Sequence, residues 1–128
     1  MGNGARMTRQ LLAETCLGQP EAVEDFPFGD HVSVFKVGGK MFALLPMRSD
    51  HLSLTIKCDP ERAESLRQKY SSVRASNFHK KHWNRVFLDG SIPLNEIQEW
   101  IEDSYDLVVD NLPKALKLRL QGQVKGLN

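Results

Sequence analysis

The pair Gly38-Gly39 is the feature that most limits the folds open to this 128-residue chain. The β-rich runs "HVSVFKV" and "KMFALLP" flank the pair, and two glycines supply the positive φ that a tight hairpin turn needs. The next run, "HLSLTIKC", alternates Leu52, Leu54 and Ile56 with polar residues, which is typical of a strand buried on one face. Three strands this close together predict an antiparallel meander.

Helical signals lie on both sides of these strands. Thr8 can cap a helix that ends at Leu17, and Asp59 with Pro60 begins a second helix in "DPERAESLRQKY". The longest helix is predicted within "SIPLNEIQEWIEDSYDLVVDNLP", and a short one follows at 114–120. The apolar residues of the longest helix that repeat at helical spacing are Leu94, Ile97, Ile101, Tyr105 and Val108.

The complete order of elements is α-β-β-β-α-β-β-α-α, with two further strands in "SVRASN" and "HWNRVFLDG" and a turn-rich connection in "GQPEAVEDFPFGD". Strands that come in runs bounded by helices predict an α+β fold, with an antiparallel sheet and helices packed on one face. We expect one domain over 8–121, a disordered leader or expression remnant over 1–7, and a frayed tail over 122–128.

Charge is distributed in blocks that the net value of +1 conceals. The segment 65–88 holds six basic residues and no acidic one, whereas 94–110 holds six acidic residues and no basic one. Such blocks either form separate basic and acidic faces or pair with each other in the fold.

The two cysteines, Cys16 and Cys58, lie far apart in a chain that is large enough to form a core without a disulfide. Free buried thiols in a reducing cytoplasm are the simplest interpretation. No apolar run reaches the length that crosses a bilayer, so no membrane contact is predicted.

The stretch "NFHKKHWNRVFLDG" is the densest group of chemically active side chains. His79 and His82 stand beside Lys80 and Lys81, whose positive charges repel a cation, so we predict no metal site. No motif for nucleophilic, metal-dependent or phosphate-transfer catalysis occurs, and neither catalytic residues nor a cofactor are predicted.

Basic residues in this region alternate with Phe78, Trp83 and Phe87, a pattern that fits phosphate neutralisation combined with base stacking. Strand alternation places Trp83, Arg85 and Phe87 on one face. The same aromatics could instead be core residues beside an ordinary surface patch, and the residues alone leave both interpretations open.

The region "VRASNFHKKHWNRVFLDGSIP" resembles the signature of the MmcQ/YjbR family of small bacterial proteins. "FKVGGKMFALL" and "SYDLVVDNLPKALKLRL" are similar to other parts of that family, and the resemblance extends over about 8–120. It implies a CyaY-like fold without an established catalytic activity or cofactor. The matching positions are Arg74, Lys80 or Lys81, His82, Trp83, Val86, Leu88, Asp89, Gly90 and Pro93.

The resemblance also implies DNA binding, because the family is commonly described as using two hairpin wings. In this chain the wings would be the hairpin 32–45 and the basic segment 74–85. The expected phosphate contacts are Lys36, Lys40, Arg74, Lys80, Lys81 and Arg85, and the motif residues from His82 to Pro93 are expected to be structural. The alternatives are a protein-interaction module with acidic and basic faces, and frataxin-like metal binding on acidic residues. We expect a cytoplasmic monomer.

Overall fold

The fold is a six-stranded antiparallel sheet with four helices, taken from a computed structural model that describes residues 8–47 and 51–124. The elements are α1 (Arg9–Leu17), β1 (Val23–Asp25), β2 (Val32–Val37), β3 (Lys40–Pro46), β4 (Ser53–Lys57), α2 (Pro60–Lys69), β5 (Val73–Ala75), β6 (Trp83–Phe87), α3 (Leu94–Asp110) and α4 (Lys114–Val124). The strands lie in the order β1-β2-β3-β4-β6-β5, so the sheet edges are β1 and β5.

The α+β class and the order of the predicted elements are confirmed, and the structure adds the short strand β1. β1 lies in the segment that we predicted as a connection. No strand signal is present in the sequence there, because the three residues of β1 are all exposed and show no apolar alternation. It is a strand because β2 offers it backbone partners, with Val23 opposite Lys36 and Asp25 opposite Val34. α4 continues to Val124, beyond its predicted end. Residues 1–7 and 125–128 lie outside the described residues.

The helices pack on one face of the sheet, as predicted. α3 lies against β2, β3 and β4, α1 lies against β3, and α2 lies against β5 and β6. Alternation along the strands directs Phe35, Ile56 and Val86 toward this layer, and all three are buried. The core therefore lies between the sheet and the helices.

The helix ends follow the sequence signals with one exception. The hydroxyl of Thr8 accepts a hydrogen bond from the backbone N–H of Leu11 at 3.1 Å, which is the predicted cap of α1. Asp59 precedes Pro60 at the start of α2, but its side chain makes no capping hydrogen bond. Of the predicted stripe on α3, only Leu94 is half-buried rather than buried.

Cys16 and Cys58 are buried free thiols, as predicted. Burial raises the pKa of Cys16 to about 12 and that of Cys58 to about 11, so both stay protonated at neutral pH. In the part of the chain that the structure describes, no helix combines the length and the apolar character needed to span a bilayer.

Replacing Gly38 with alanine should destabilise the β2–β3 hairpin. Gly38 has φ +59, and a Cβ atom there would lie 2.8 Å from Cδ1 of Leu112 and 3.0 Å from Cδ2 of Leu116. Gly39 has φ +81 with no atom within 4 Å, so Gly39→Ala adds backbone strain without a clash. We expect unfolding free energy to fall by about 2 kcal/mol in Gly38→Ala and about 1 kcal/mol in Gly39→Ala, measured by urea denaturation. Equal losses would show that the clash contributes nothing.

Candidate functional site

The face of the sheet opposite the helices, here called the open face, carries a row of side chains that crosses all six strands. In strand order the row is Asp25, Val34, Leu44, Thr55, Arg85 and Arg74. Val34 is buried, Leu44, Thr55 and Arg85 are half-buried, and Arg74 is exposed. The row is therefore exposed at its two ends, Asp25 on β1 and Arg74 on β5, and buried or half-buried between them.

The β6–β5 end of the row is an arginine pair. Arg74 and Arg85 are direct cross-strand neighbours, and like charges in this position repel each other. The guanidinium carbon of Arg85 lies 4.8 Å from the ring centroid of Phe87, and that of Arg74 lies 5.7 Å from it. Nε of Arg85 donates a hydrogen bond to Oγ of Ser53 at 3.1 Å, which fixes the side chain. Neither arginine forms an ion pair with any residue in the ranges 8–47 and 51–124.

Removing one charge of this pair should not destabilise the free protein. We expect Arg74→Gln to leave the free energy of unfolding unchanged or to raise it by about 0.2–1 kcal/mol, because the cross-strand repulsion is relieved. Thermal unfolding at low and high salt measures the effect, and salt should reduce the difference by screening the repulsion. A clear loss of stability at low salt would mean that Arg74 is a structural residue.

Two more basic candidates lie in the same hairpin. Lys80 and Lys81 are exposed in the loop that joins β5 to β6. Nη1 of Arg67 donates a hydrogen bond to the carbonyl oxygen of Lys80 at 3.0 Å, which ties this loop to α2. The β5–β6 hairpin, residues 73–87, thus carries four of the six predicted contacts.

The other two predicted contacts lie elsewhere. Nζ of Lys36 forms an ion pair with Oδ2 of Asp25 at 2.9 Å, and Lys40 is exposed at the start of β3. Three strand spacings separate β2 from β6, which is about 14 Å. The structure therefore does not bring the two predicted wings together into one patch.

A cavity of about 700 Å³ adjoins the arginine pair, at the end of the hairpin away from Lys80 and Lys81. Its walls combine apolar side chains with hydroxyl and charged groups. The lining residues are His51, Leu52, Ser71, Ser72, Arg74, Phe87, Leu88 and Asp89. A cavity of this size and mixed character is within the range that binds small organic groups.

The motif residues of the hairpin occupy both structural and surface positions. Trp83 and Val86 are buried, and the Trp83 ring packs edge-on against Phe78 with 5.3 Å between ring centroids. His82 is exposed, and its carbonyl oxygen accepts a hydrogen bond from the backbone N–H of Cys58 at 2.7 Å. Leu88 is half-buried, and Pro93 is the residue immediately before α3.

Asp89 and Gly90 form the turn after β6, and Gly90 has φ +90. Oδ1 of Asp89 accepts hydrogen bonds from the hydroxyl of Ser91 at 2.6 Å and from its backbone N–H at 3.0 Å. These bonds, the hydroxyl first, lower the pKa of Asp89.

The substitution Asp89→Asn should therefore lower the stability of the protein only at pH values at which the wild-type carboxyl group is ionised. Because the folded-state pKa is the lower one, the carboxylate stabilises the native state above the unfolded pKa of about 3.9. That contribution disappears as pH falls through the folded-state pKa. Thermal unfolding from neutral to acid pH should show a gap between wild type and Asp89→Asn that closes in acid. A gap independent of pH would contradict this explanation.

The acidic residues of α3 belong to the other layer of the fold, because α3 packs on the face opposite the arginine pair. Part of the acidic block pairs with bases: Asp103 lies 3.8 Å from Arg62, and Asp110 lies 3.0 Å from Lys117. Partial burial, followed by repulsion from neighbouring carboxylates, raises the pKa of Asp106. The sheet therefore separates the acidic surface from the open face.

Metal-ligating side chains do not converge in the described residues. Within 8–47 and 51–124, no three His, Cys, Asp or Glu side chains form a group that could hold a metal ion. These described residues give no geometric support to frataxin-like metal binding.

His79 has φ +48, a left-handed conformation that is uncommon for a residue other than glycine.

Sequence reasoning missed Ser53, Leu52 and Ser72 as members of this site. Ser53 and Thr55 share one face of β4 by alternation, and that was the only signal in the sequence. Arg85 lies over Ser53 because β6 pairs with β4. This long-range pairing is not contained in any local sequence pattern.

Comparisons with known proteins establish the family. The family model described as YjbR matches residues 17–107. The protein YjbR of Escherichia coli is 34% identical over 109 residues, which cover 84% of this chain and 92% of that protein. The chain belongs to the YjbR family. YbdF, another Escherichia coli protein, is 33% identical to this YjbR-family chain over 120 residues, covering 90% and 98% of the two.

Solved structures agree with the YjbR-family fold. The crystal structure of a Deinococcus radiodurans protein has a TM-score of 0.82 and 38% identity to this chain, covering 94% of this chain and 89% of its own. A Pseudomonas syringae protein has a TM-score of 0.68 and 28% identity, covering 79% and 98% of the two chains. The α+β architecture that the sequence predicted is therefore shared with solved relatives.

Proposed function

We propose that this YjbR-family protein binds DNA through the β5–β6 hairpin, mainly by contacts to phosphates. The observation that carries the proposal is the arginine pair on the open face. Arg74 and Arg85 repel each other, lack an ion-pair partner among the described residues, and lie on the face away from the acidic helix. A bridging phosphate would neutralise this repulsion and form charge-assisted hydrogen bonds with both guanidinium groups. Lys80 and Lys81 extend the positive surface along the hairpin.

The test is a titration of fluorescently labelled DNA at several salt concentrations. Binding through phosphates makes the logarithm of the association constant fall linearly with the logarithm of salt concentration. The double variant Arg74→Gln/Arg85→Gln removes two contacts and should reduce the slope by about 1.4–1.8.

The matched control is Lys36→Gln/Lys40→Gln, which also removes two positive charges, but from β2 and β3, nearer the β1 edge of the sheet. This variant should keep the wild-type slope. An equal loss of slope in both variants would favour the two-wing arrangement and overturn the localisation to β5–β6. No binding of any DNA at low salt would overturn the proposed function itself.

Protein interaction remains a second candidate because the two charged surfaces lie on opposite layers of the fold. The exposed acids of α3, such as Glu99 and Glu102, could contact a basic partner while the open face remains free. Glu99→Gln/Glu102→Gln should then abolish capture of a defined basic partner and leave DNA affinity unchanged. Loss of DNA affinity in that variant would contradict the separation of the two surfaces.

We further propose that the protein is a non-enzymatic, cytoplasmic monomer. The two unpaired buried thiols support a reducing compartment, where disulfides rarely form.

A further inference from the structure

We propose that the arginine pair of the open face and the adjoining cavity bind single-stranded rather than duplex DNA, with one unpaired base in the cavity beside Phe87. This inference rests on the proposed function and names the form of nucleic acid that the site accepts.

The position of the arginines is the first argument. Arg85 is half-buried on the surface of a sheet and is held there by its hydrogen bond to Ser53. Base readout in a duplex is made by an element that enters a groove, such as a helix or a two-stranded ribbon. The arginine pair lies within the sheet surface rather than at a hairpin tip, because Arg74 and Arg85 are paired inside the β5–β6 ladder. This geometry suits a flexible strand that lies along the β5–β6 hairpin.

The cavity is the second argument. Its apolar walls, formed by Leu52, Phe87 and Leu88, suit the face of an aromatic ring. Ser71 and Asp89 at its polar side can donate and accept hydrogen bonds with the edge of a base. Bases in a duplex are stacked and paired inside the helix, whereas those of a single strand can swing out into such a cavity.

The linear arrangement of the hairpin is the third argument. Lys80 and Lys81 lie at its loop, the arginine pair lies midway, and the cavity lies at the opposite end. β6 alone spans about 13 Å from Trp83 to Phe87. Successive phosphates of one strand could therefore contact the lysines and then the arginines before a base enters the cavity.

Phe87 connects the phosphate contacts to the cavity. Its ring lies beside both guanidinium groups and also lines the cavity wall. Aromatic rings and guanidinium planes are the two protein groups on which unpaired bases stack, and such stacking tolerates any base. We therefore expect little sequence preference.

The experiment compares a labelled single strand with a hairpin duplex that contains the same sequence, at one salt concentration. We expect the single strand to bind about tenfold or more tightly, the size of effect that one base stack gives. A series of single strands can each carry one abasic nucleotide at a different position. We expect weaker binding for the strand whose abasic position coincides with the base that enters the cavity. Equal or tighter binding of the duplex overturns the inference and leaves the proposed function intact, whereas no binding of either form overturns both.

A protein variant provides a second readout. Phe87→Leu should lower affinity for the single strand about tenfold without changing the salt slope, because stacking is lost and the phosphate contacts remain. Phe28→Leu is the matched control, since Phe28 is exposed far from the hairpin, in the segment that joins β1 to β2. Circular dichroism confirms that both variants are folded. Unchanged single-strand affinity in folded Phe87→Leu would overturn the role of the cavity.

Discussion

Replacing Ser104 with alanine should lower the free energy of unfolding by about 2–4 kcal/mol, although it removes a single oxygen atom. The hydroxyl of Ser104 is buried between α3 and the sheet. It accepts a hydrogen bond from the backbone N–H of Lys57 at 2.8 Å and donates one to the carbonyl oxygen of Phe42 at 2.6 Å. Alanine would leave a donor on β4 and an acceptor on β3 without their partner, and an unsatisfied buried backbone group is costly.

Urea denaturation measures the loss, and amide hydrogen exchange localises it. The amide of Lys57 should exchange faster in Ser104→Ala, because its hydrogen bond is lost. Ser65→Ala is the control, since Ser65 is exposed on α2 and its loss should change stability by no more than about 0.5 kcal/mol. A loss below about 1 kcal/mol in Ser104→Ala would mean that the two backbone groups find other partners.

Tyr105→Ala should cost about 3–5 kcal/mol, the range for truncating a large buried aromatic residue. Tyr105 is buried on α3, and its ring packs edge-on against Phe42 with 5.5 Å between centroids. The hydroxyl donates a hydrogen bond to the carbonyl oxygen of Pro20 at 2.7 Å, which ties the segment after α1 to α3. Tyr105→Phe keeps the ring and should cost only about 1 kcal/mol.

Alkaline titration separates the ring from the hydroxyl. Burial, followed by repulsion from Asp106 and Glu21, raises the pKa of Tyr105 to about 12. The raised pKa in the folded state gives stability that is complete below the unfolded pKa of about 10 and is lost as pH rises through about 12. Tyr105→Phe lacks the titrating hydroxyl and its contribution to stability, so the deficit of the variant relative to wild type should shrink between pH 10 and 12. A constant deficit would show that the hydroxyl titrates equally in both states.

Sequence predicted most of the fold because the signals involved are local. Gly38-Gly39 specifies a left-handed turn, and alternation from Leu52 to Ile56 specifies a strand with one buried face. The sequence did not predict β1, because Val23–Asp25 has no buried side chain and only its pairing with β2 makes it a strand. The role of Ser104 was not predicted for a similar reason. A serine within an amphipathic helix gives no indication of the two backbone groups to which its hydroxyl will form hydrogen bonds.

The candidate site was only partly predictable. The sequence by itself determined the inventory of bases, the absence of acids from 65–88 and the face that Arg85 shares with Phe87. Only the tertiary structure decided which bases meet: the register of β5 against β6 places Arg74 opposite Arg85, while Asp25 on β1 engages Lys36. The physical reason is that charges act through distance in space, and strand register sets those distances between residues that are far apart in the chain.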